Sequence, residues 1–263
     1  MTTPACATIR VERGAKVGRI WFARPEVRNA FDSRMVGELR AALRSLAADP
    51  DVRVVVLSGT GTSFCAGADL NWMREIIRFS YEQNLAESLE LAEWLHELSS
   101  LPKPTIARVN GAAIGGGAGF AAACDIVIAS TDARFSLSEV KLGLVPACIA
   151  PYVLRRTGPG RVTPYFLTGE RFDARRALEI GLVDVAVEPG ELDGKVDEVV
   201  SSLLTSGPEA LAKAKELLAR VPGMGMAEAK RYTAEMIAGL RTTAEGQEGM
   251  AAFLEKRKPS WSE

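Results

Sequence analysis

Three consecutive glycines, Gly115, Gly116 and Gly117, stand in the stretch NGAAIGGGAGFAAACDIVIA (residues 110–129), between an apolar run and a segment of small residues. No other feature limits the fold more. Glycine at three adjacent positions strips the backbone of Cβ atoms, so a ligand can approach the amides closely and the chain can take conformations closed to other residues. The Ala-rich segment that follows suits a helix, whose first amides lack intrahelical partners and carry partial positive charge. Three occupants fit such a place: a phosphate, a developing oxyanion, or simply a closely packed neighbour.

The flanking sequence shows how the triplet is delivered. Val52–Ser58, VRVVVLS, is the apolar β-branched run of a strand buried on both faces. It leads into GTGTSFCAGADLNWMREI, a glycine-rich loop opening a helix with Asp69 as its cap, or a plain strand-to-helix turn. Thr105–Val109 is again a strand, and the triplet follows it. Strand, loop and helix thus recur, which argues for crossovers and an α/β class, although no self-similarity at a fixed period is visible in the sequence. Upstream, Thr8–Ala23 reads as two strands about a turn at 13–16. ARPEVRNAFD then forms a loop, and Ser33 is the expected cap of a helix reaching Ala48, with Met35, Val36, Leu39, Leu43 and Leu46 on one face. Further helices are expected over Glu82–Ser99 and Asp173–Ile180, the latter stopped by Gly181, with a strand at Asp125–Ser130. A boundary near Glu188–Glu191 separates a catalytic core, residues 1–190, from a helical region, 191–263, with three helical stretches that cover the core or mediate assembly.

Composition removes several function classes. The formal net charge of −1 gives no general attraction to nucleic acid or to an anionic membrane, and no apolar run approaches the roughly 20 residues needed to span a bilayer. Cys6, Cys65, Cys124 and Cys148 show no metal-ligand spacing. The N-terminal MTTPACATIRVE lacks the apolar core of a signal peptide, so a reduced, cytoplasmic location is expected. There is no GxxxxGK[ST] loop, GGGAG does not fit GxGxxG, and no GxSxG elbow occurs. The only histidine, His96, lies mid-helix and reads as structural, so neither a Ser-His-Asp triad nor a histidine metal site is expected.

What remains is two glycine-rich loops, each at the end of a strand and opening a helix, and Glu139 in a stretch otherwise short of acids. Two amides converging from separate loops make an oxyanion hole, one donor of which is typically worth about 10²–10³ in rate. Glu139 is then either a general acid/base, worth roughly 10²–10⁴, or a surface carboxylate.

SFCAGADLNWM at 63–73, NGAAIGGGAGFAAACDIVIAS at 110–130 and ARFSLSEVKLGLVP at 133–146 resemble the crotonase, or enoyl-CoA hydratase/isomerase, family. The likeness runs from RPEVRNAF to AEGQEGMAAFLEKRKPSW. It implies a crotonase-like spiral of ββα units with a helical C-terminal region that packs homotrimers, often paired into hexamers. It implies that the amides of Ala68 and Gly116 bind the thioester oxygen of an acyl-CoA, with Glu139 as acid/base. Val27, Arg28, Ala66 and Leu70 would lie along the CoA, and Phe253 and Lys256 near its nucleotide end. CoA is part of the substrate, and no separate cofactor or metal is implied.

The sequence departs from the family at one important position. Family hydratases commonly hold the attacking water with two glutamates, and the first position here is Gly119. Its missing side chain suggests room for a larger or branched acyl group. A second departure, PACIAPYVLRR at 146–156 where many members have a PGxGGTQRL-like run, resembles the 3-methylglutaconyl-CoA hydratase branch, as do AGADLNWM and AEGQEGM. Hydration of an enoyl-CoA, a branched one included, is therefore the expected reaction. A single-glutamate isomerase and a non-catalytic acyl-CoA-binding protein are the alternatives. Trp72, Met73, Gly119, Phe120, Cys148 and Tyr152 are the expected acyl-pocket residues.

Overall fold

The computed structural model describes residues 6–262. β1 (Ile9–Gly14) and β2 (Val17–Phe22) form the expected hairpin, turning through Ala15 and Lys16 in the left-handed region. α1 (Ser33–Ala48) follows, capped by Asp32 and not by Ser33: extended Asp32 accepts from Met35 N at 2.8 Å, while Ser33 is already helical. Its apolar face buries Met35, Leu39, Leu43 and Leu46.

The chain then repeats one unit, a long strand followed by a short one and a helix. β3 (Val54–Gly59), β4 (Ser63–Cys65), α2 (Leu70–Ile76) and α3 (Tyr81–Ser100) make one unit, and β5 (Thr105–Val109), β6 (Ala112–Ile114) and α4 (Gly116–Ala123) the next. β7 (Ile126–Ser130) and β8 (Arg134–Ser136) lead through a 3-10 turn, Ser138–Leu142, to α5 (Ala150–Thr157) and α6 (Pro159–Thr168). β9 (Arg171–Asp173), α7 (Ala174–Glu179) and β10 (Val185–Val187) close the series. The long strands enter a six-stranded sheet in the order β1-β2-β3-β5-β7-β10, and the short ones a four-stranded sheet in the order β4-β6-β8-β9. Because each unit feeds both sheets, the chain advances as a spiral of ββα turns. This is the α/β architecture expected.

β3 is buried along its whole length, since helices cover both faces of the large sheet. One face meets α1, α3 and α4 in a core that includes Phe22, Leu43, Trp94 and Phe120. Over the other face lies α8 (Leu192–Leu204), whose Leu192, Val196 and Val200 pack on Val54, Val56, Ile106 and Ile128. The first helix beyond residue 190 therefore covers the sheet. α9 (Pro208–Arg220), α10 (Met226–Thr242) and α11 (Ala244–Leu254) follow, giving four α-helices after residue 190 among the described residues where three were expected. The extra break is at Thr243, whose hydroxyl caps α11 by accepting from Gly246 N at 3.1 Å. α9 and α10 bury no residue fully.

Candidate active site

Two loops leave the carboxyl ends of neighbouring strands. β4 and β6 pair in parallel, Ser63 beside Ala112 and Cys65 beside Ala113, so the chain emerges side by side after each. Missing side chains let the loops touch: a Cβ on Gly67 would lie 3.1 Å from Ile114 O, and one on Gly117 would lie 2.9 Å from Cys65 Cβ. Gly115, at φ +53°, turns the second loop into α4 and donates to Ser136 O at 2.8 Å.

Each loop presents one amide. Residues 28–31 lie along the first loop, with Ala66 N donating to Arg28 O (3.0 Å), Phe31 N to Gly67 O (2.9 Å) and Asp69 N to Phe31 O (2.8 Å). This is a parallel bridge between Phe31 and Ala68. The residues on either side of Ala68 bond to Phe31, so Ala68 turns its own N–H the other way. Asp69, the expected cap of α2, accepts from Asn71 N and Trp72 N. In the second loop Gly116 is the first residue of α4, with no side-chain cap, and its N–H is one of that helix's unpaired donors. Phe31 packs against it: a Cβ on Gly116 would stand 2.5 Å from Phe31 Cε1.

Glu139 enters from the 3-10 turn after β8. Its Oε1 lies 3.0 Å from where a Cβ on Gly115 would be, and its Oε2 is buried without a hydrogen-bond partner. Burial pushes the carboxyl above the usual glutamate range, against a smaller opposing effect of its own backbone N–H. An unpaired buried acceptor costs about 1–3 kcal/mol, so this carboxyl is poorly served by the fold and available to a ligand. Among the described residues, no group of three or more His, Cys, Asp or Glu side chains is placed to hold a metal ion. His96 is exposed on α3.

The other expected residues divide. Trp72, Cys148 and Tyr152 are half-buried against the core that surrounds the loops, and Met73 is half-buried on α2 beside Trp72. The Trp72 ring centre lies 5.7 Å from that of Phe31, and Cys148 Sγ is 3.6 Å from Ser88 O on α3. Burial pushes both the Cys148 thiol and the Tyr152 phenol upward. Of Val27, Arg28, Ala66 and Leu70, Ala66 and Arg28 are joined by the Ala66 N to Arg28 O bond, and Leu70 opens α2 at 69% exposure. Phe253, in the last turn of α11, and Lys256, just after it, are both exposed. Beyond them the chain returns to α8, where Trp261 Nε1 donates to Thr205 O.

Two expectations about the acyl pocket are corrected. Gly119 opens no extra room, because a Cβ there would stand 2.6 Å from Ile149 Cβ and closer still to its Cγ2. Ile149, at the start of α5, fills the space. Phe120 is core: it is fully buried between Phe22, Phe31 and Trp94, with ring centres 5.1–6.0 Å away, and supports the wall from behind. The sequence reading also passed over Phe31, Ile149, Arg24 and Asn29. Asn29 is wholly buried in the left-handed conformation, and its Nδ2 donates to Thr60 O and Ser63 O at 2.8 and 2.7 Å. A polar residue between Arg28 and Ala30 in a proline-containing loop was the available signal.

Residues 12–263 match the family described as enoyl-CoA hydratase/isomerase. The chain belongs to that family. A solved enoyl-CoA hydratase from Shewanella pealeana is 40% identical, with 97% of this chain and 96% of that one covered and a TM-score of 0.94. AtuE of Pseudomonas aeruginosa is 37% identical over 97% of this chain and all of its own, also at a TM-score of 0.94. A short-chain-enoyl-CoA hydratase of Clostridium acetobutylicum is 34% identical over 254 residues, 94% of this chain and 95% of that protein. The crotonase likeness of the three sequence stretches is thus a family relationship over nearly the whole chain.

Proposed function

We propose that the chain is an enoyl-CoA hydratase, adding water across the 2,3 double bond of an acyl-CoA thioester. The observation that carries this is the buried, unpaired Oε2 of Glu139 against Gly115, beside a loop pair that presents the amides of Ala68 and Gly116. In this mechanism the thioester oxygen accepts from both amides. Ionised Glu139 takes a proton from water as its oxygen bonds to C3, and the electron pair of the double bond moves onto the thioester as an enolate. The protonated Glu139 then gives that proton to C2, so one carboxyl serves both halves of the addition. Burial suits it to this double duty, because a raised carboxyl is a stronger base when ionised and holds the proton long enough to return it.

A second reading, isomerisation by a proton moved between C2 and C4, is favoured by Ile149 standing where Gly119 lacks a side chain, which leaves Glu139 without a companion carboxylate. The branched-acyl assignment rests on the likeness of AGADLNWM and PACIAPYVLRR to the 3-methylglutaconyl branch. Room for a branch has to come from the side of Trp72, Met73, Cys148 and Tyr152, not from Gly119. Assembly into a trimer or hexamer belongs to the same proposal, supported by exposed apolar residues on the C-terminal helices such as Met226, Phe253 and Leu254. So does a cytoplasmic location. Incubation with a panel of enoyl-CoA esters in heavy water tests the reaction: a mass gain of one water is expected, whereas deuterium exchange with a shifted double bond marks an isomerase and unchanged ester marks a binder. Glu139→Gln should lower turnover at least about a hundredfold with CoA binding nearly intact.

A further inference from the structure

The direction of the Ala68 amide depends on a short stretch of chain that belongs to neither sheet. Residues 28–31 reach the first loop through the isolated Phe31 to Ala68 bridge and one further backbone bond, Ala66 N to Arg28 O, a short contact whose two sides need another tie to hold its angle. A single guanidinium ties them. Arg24 Nη1 donates to Ala30 O at 2.7 Å and lies 3.1 Å from Asp32 Oδ2, both on the Phe31 side. Its Nη2 donates to Asp69 Oδ2 at 2.8 Å, on the Ala68 side. The Arg24 backbone is fixed in turn, its N–H donating to the Oδ1 of buried Asn29 at 2.9 Å.

The pair is sheltered, with side-chain exposures of 18% for Arg24 and 5% for Asp69, so it is screened less than a surface ion pair. Asp69 is also the cap of α2, which carries Trp72 and Met73, so the same fork fixes the loop to the helix that forms one side of the acyl pocket. Three acceptors are shared between Nη1 and Nη2 of one planar guanidinium, whereas a lysine ammonium would have to draw all three to a single nitrogen.

We propose that Arg24 is a positioning residue for the reaction: by tying Ala30 and Asp32 to Asp69 across the Phe31 to Ala68 bridge, it aims the Ala68 N–H at the thioester oxygen. This rests on the assignment of Ala68 N–H to that oxygen. Arg24 itself is not a donor to the substrate, and its effect passes through the loop. Loss of the fork lets the loop rotate about the bridge, and a misplacement on the order of 1 Å costs about 10²-fold in rate.

The test compares wild type, Arg24→Met and Arg24→Lys, using crotonyl-CoA with a carbon-13 thioester carbonyl, turnover kinetics and the vibrational band of the bound carbonyl. In Arg24→Met, kcat should fall about 10- to 100-fold with KM within about threefold, and the downward shift of the carbonyl band on binding should shrink. Arg24→Lys, which keeps the charge opposite Asp69 and loses the fork, should fall between the two. A purely structural role would lower the melting temperature while leaving the band shift and kcat, measured well below melting, within about twofold of wild type, and that result overturns the inference. If Arg24→Met does not fold, the band shift and kcat of Arg24→Lys decide by the same criterion. A wild-type protein that binds the ester with no band shift would overturn the oxyanion assignment itself, and this inference with it.

Discussion

The filling of Gly119 by Ile149 gives the sharpest test of the structure. On its own, Gly119→Ala places a methyl 2.6 Å from Ile149 Cβ and nearer still to Cγ2. Overpacking of this kind costs about 1–3 kcal/mol, and replacing glycine inside α4 returns about 1 kcal/mol of helix propensity. With two Ile149 carbons inside 3 Å the overpacking should sit at its upper end, for a net loss of about 2 kcal/mol. Ile149→Ala alone should cost about 2–5 kcal/mol through lost contacts and the cavity it leaves. Combined, the substitutions should not add: removing Cγ2, Cγ1 and Cδ1 takes away the closest overlap and frees space for α4 and α5 to shift around the remaining Cβ pair. The double variant should therefore be more stable than the sum of the singles predicts by about 1–3 kcal/mol. Urea unfolding of all four proteins at one protein concentration measures this directly. Additivity within about 0.5 kcal/mol would refute the packing account. The same geometry bears on function, because Gly119→Glu alone drives its side chain into Ile149. A two-carboxylate site can be built here only with Ile149→Ala alongside.

Other expectations follow from the same observations. Ionised Glu139 is disfavoured by burial, so its folded-state affinity for the proton is raised and its charge lowers stability above that pKa; Glu139→Gln should therefore melt higher than wild type at pH 7.5, with the difference vanishing near pH 4. A lower melting temperature at pH 7.5 would show that the carboxylate is paired after all. The acidic limb of kcat/KM should lie above the ordinary glutamate value of about 4.3, since the base must be ionised before water adds, and it should be missing from the residual activity of Glu139→Gln. Asn29→Ala leaves the carbonyls of Thr60 and Ser63 without their shared donor, so unfolding free energy should fall by roughly 2–6 kcal/mol, read from the urea midpoint.

Much of the fold was legible because its main signals are local. β3 and β5 announced themselves through β-branched apolar runs, Asp69 as a cap through its place before a helical stretch, and the two glycine loops through their position after strands. The spiral was not legible from periodicity. Its repeat lies in the pairing of strands, and all four strands of the small sheet, β4, β6, β8 and β9, are only three residues long. Such strands carry no alternation to read. The cap of α1 was missed by one residue for a related reason: Asp32 and Ser33 both cap well, and only the extended backbone at Asp32 decides between them. The break at Thr243 was hidden because TTAEG continues a helical pattern until the hydroxyl of Thr243 starts a new one.

The candidate site shows a different limit. A sequence reveals a missing side chain, and at Gly115, Gly116 and Gly117 that absence has the meaning it suggested: backbone comes close to Glu139, to Phe31 and to Cys65 respectively. At Gly119 the same letter means something else. Thirty residues later Ile149 occupies the volume, so the glycine accommodates a neighbour of the protein's own making and not a larger substrate. What distinguishes the two cases is the order of contacts along α4. Its first residue lies against Phe31, which bridges to Ala68, while Gly119, one turn further on, lies against Ile149 at the start of α5. Glu139 stands against Gly115, half-buried, with its Oε2 buried and unpaired. In the proposed mechanism this one carboxyl both takes and returns the proton, so turnover should depend on how firmly the loop of Ala68 holds the enolate while that proton is in transit.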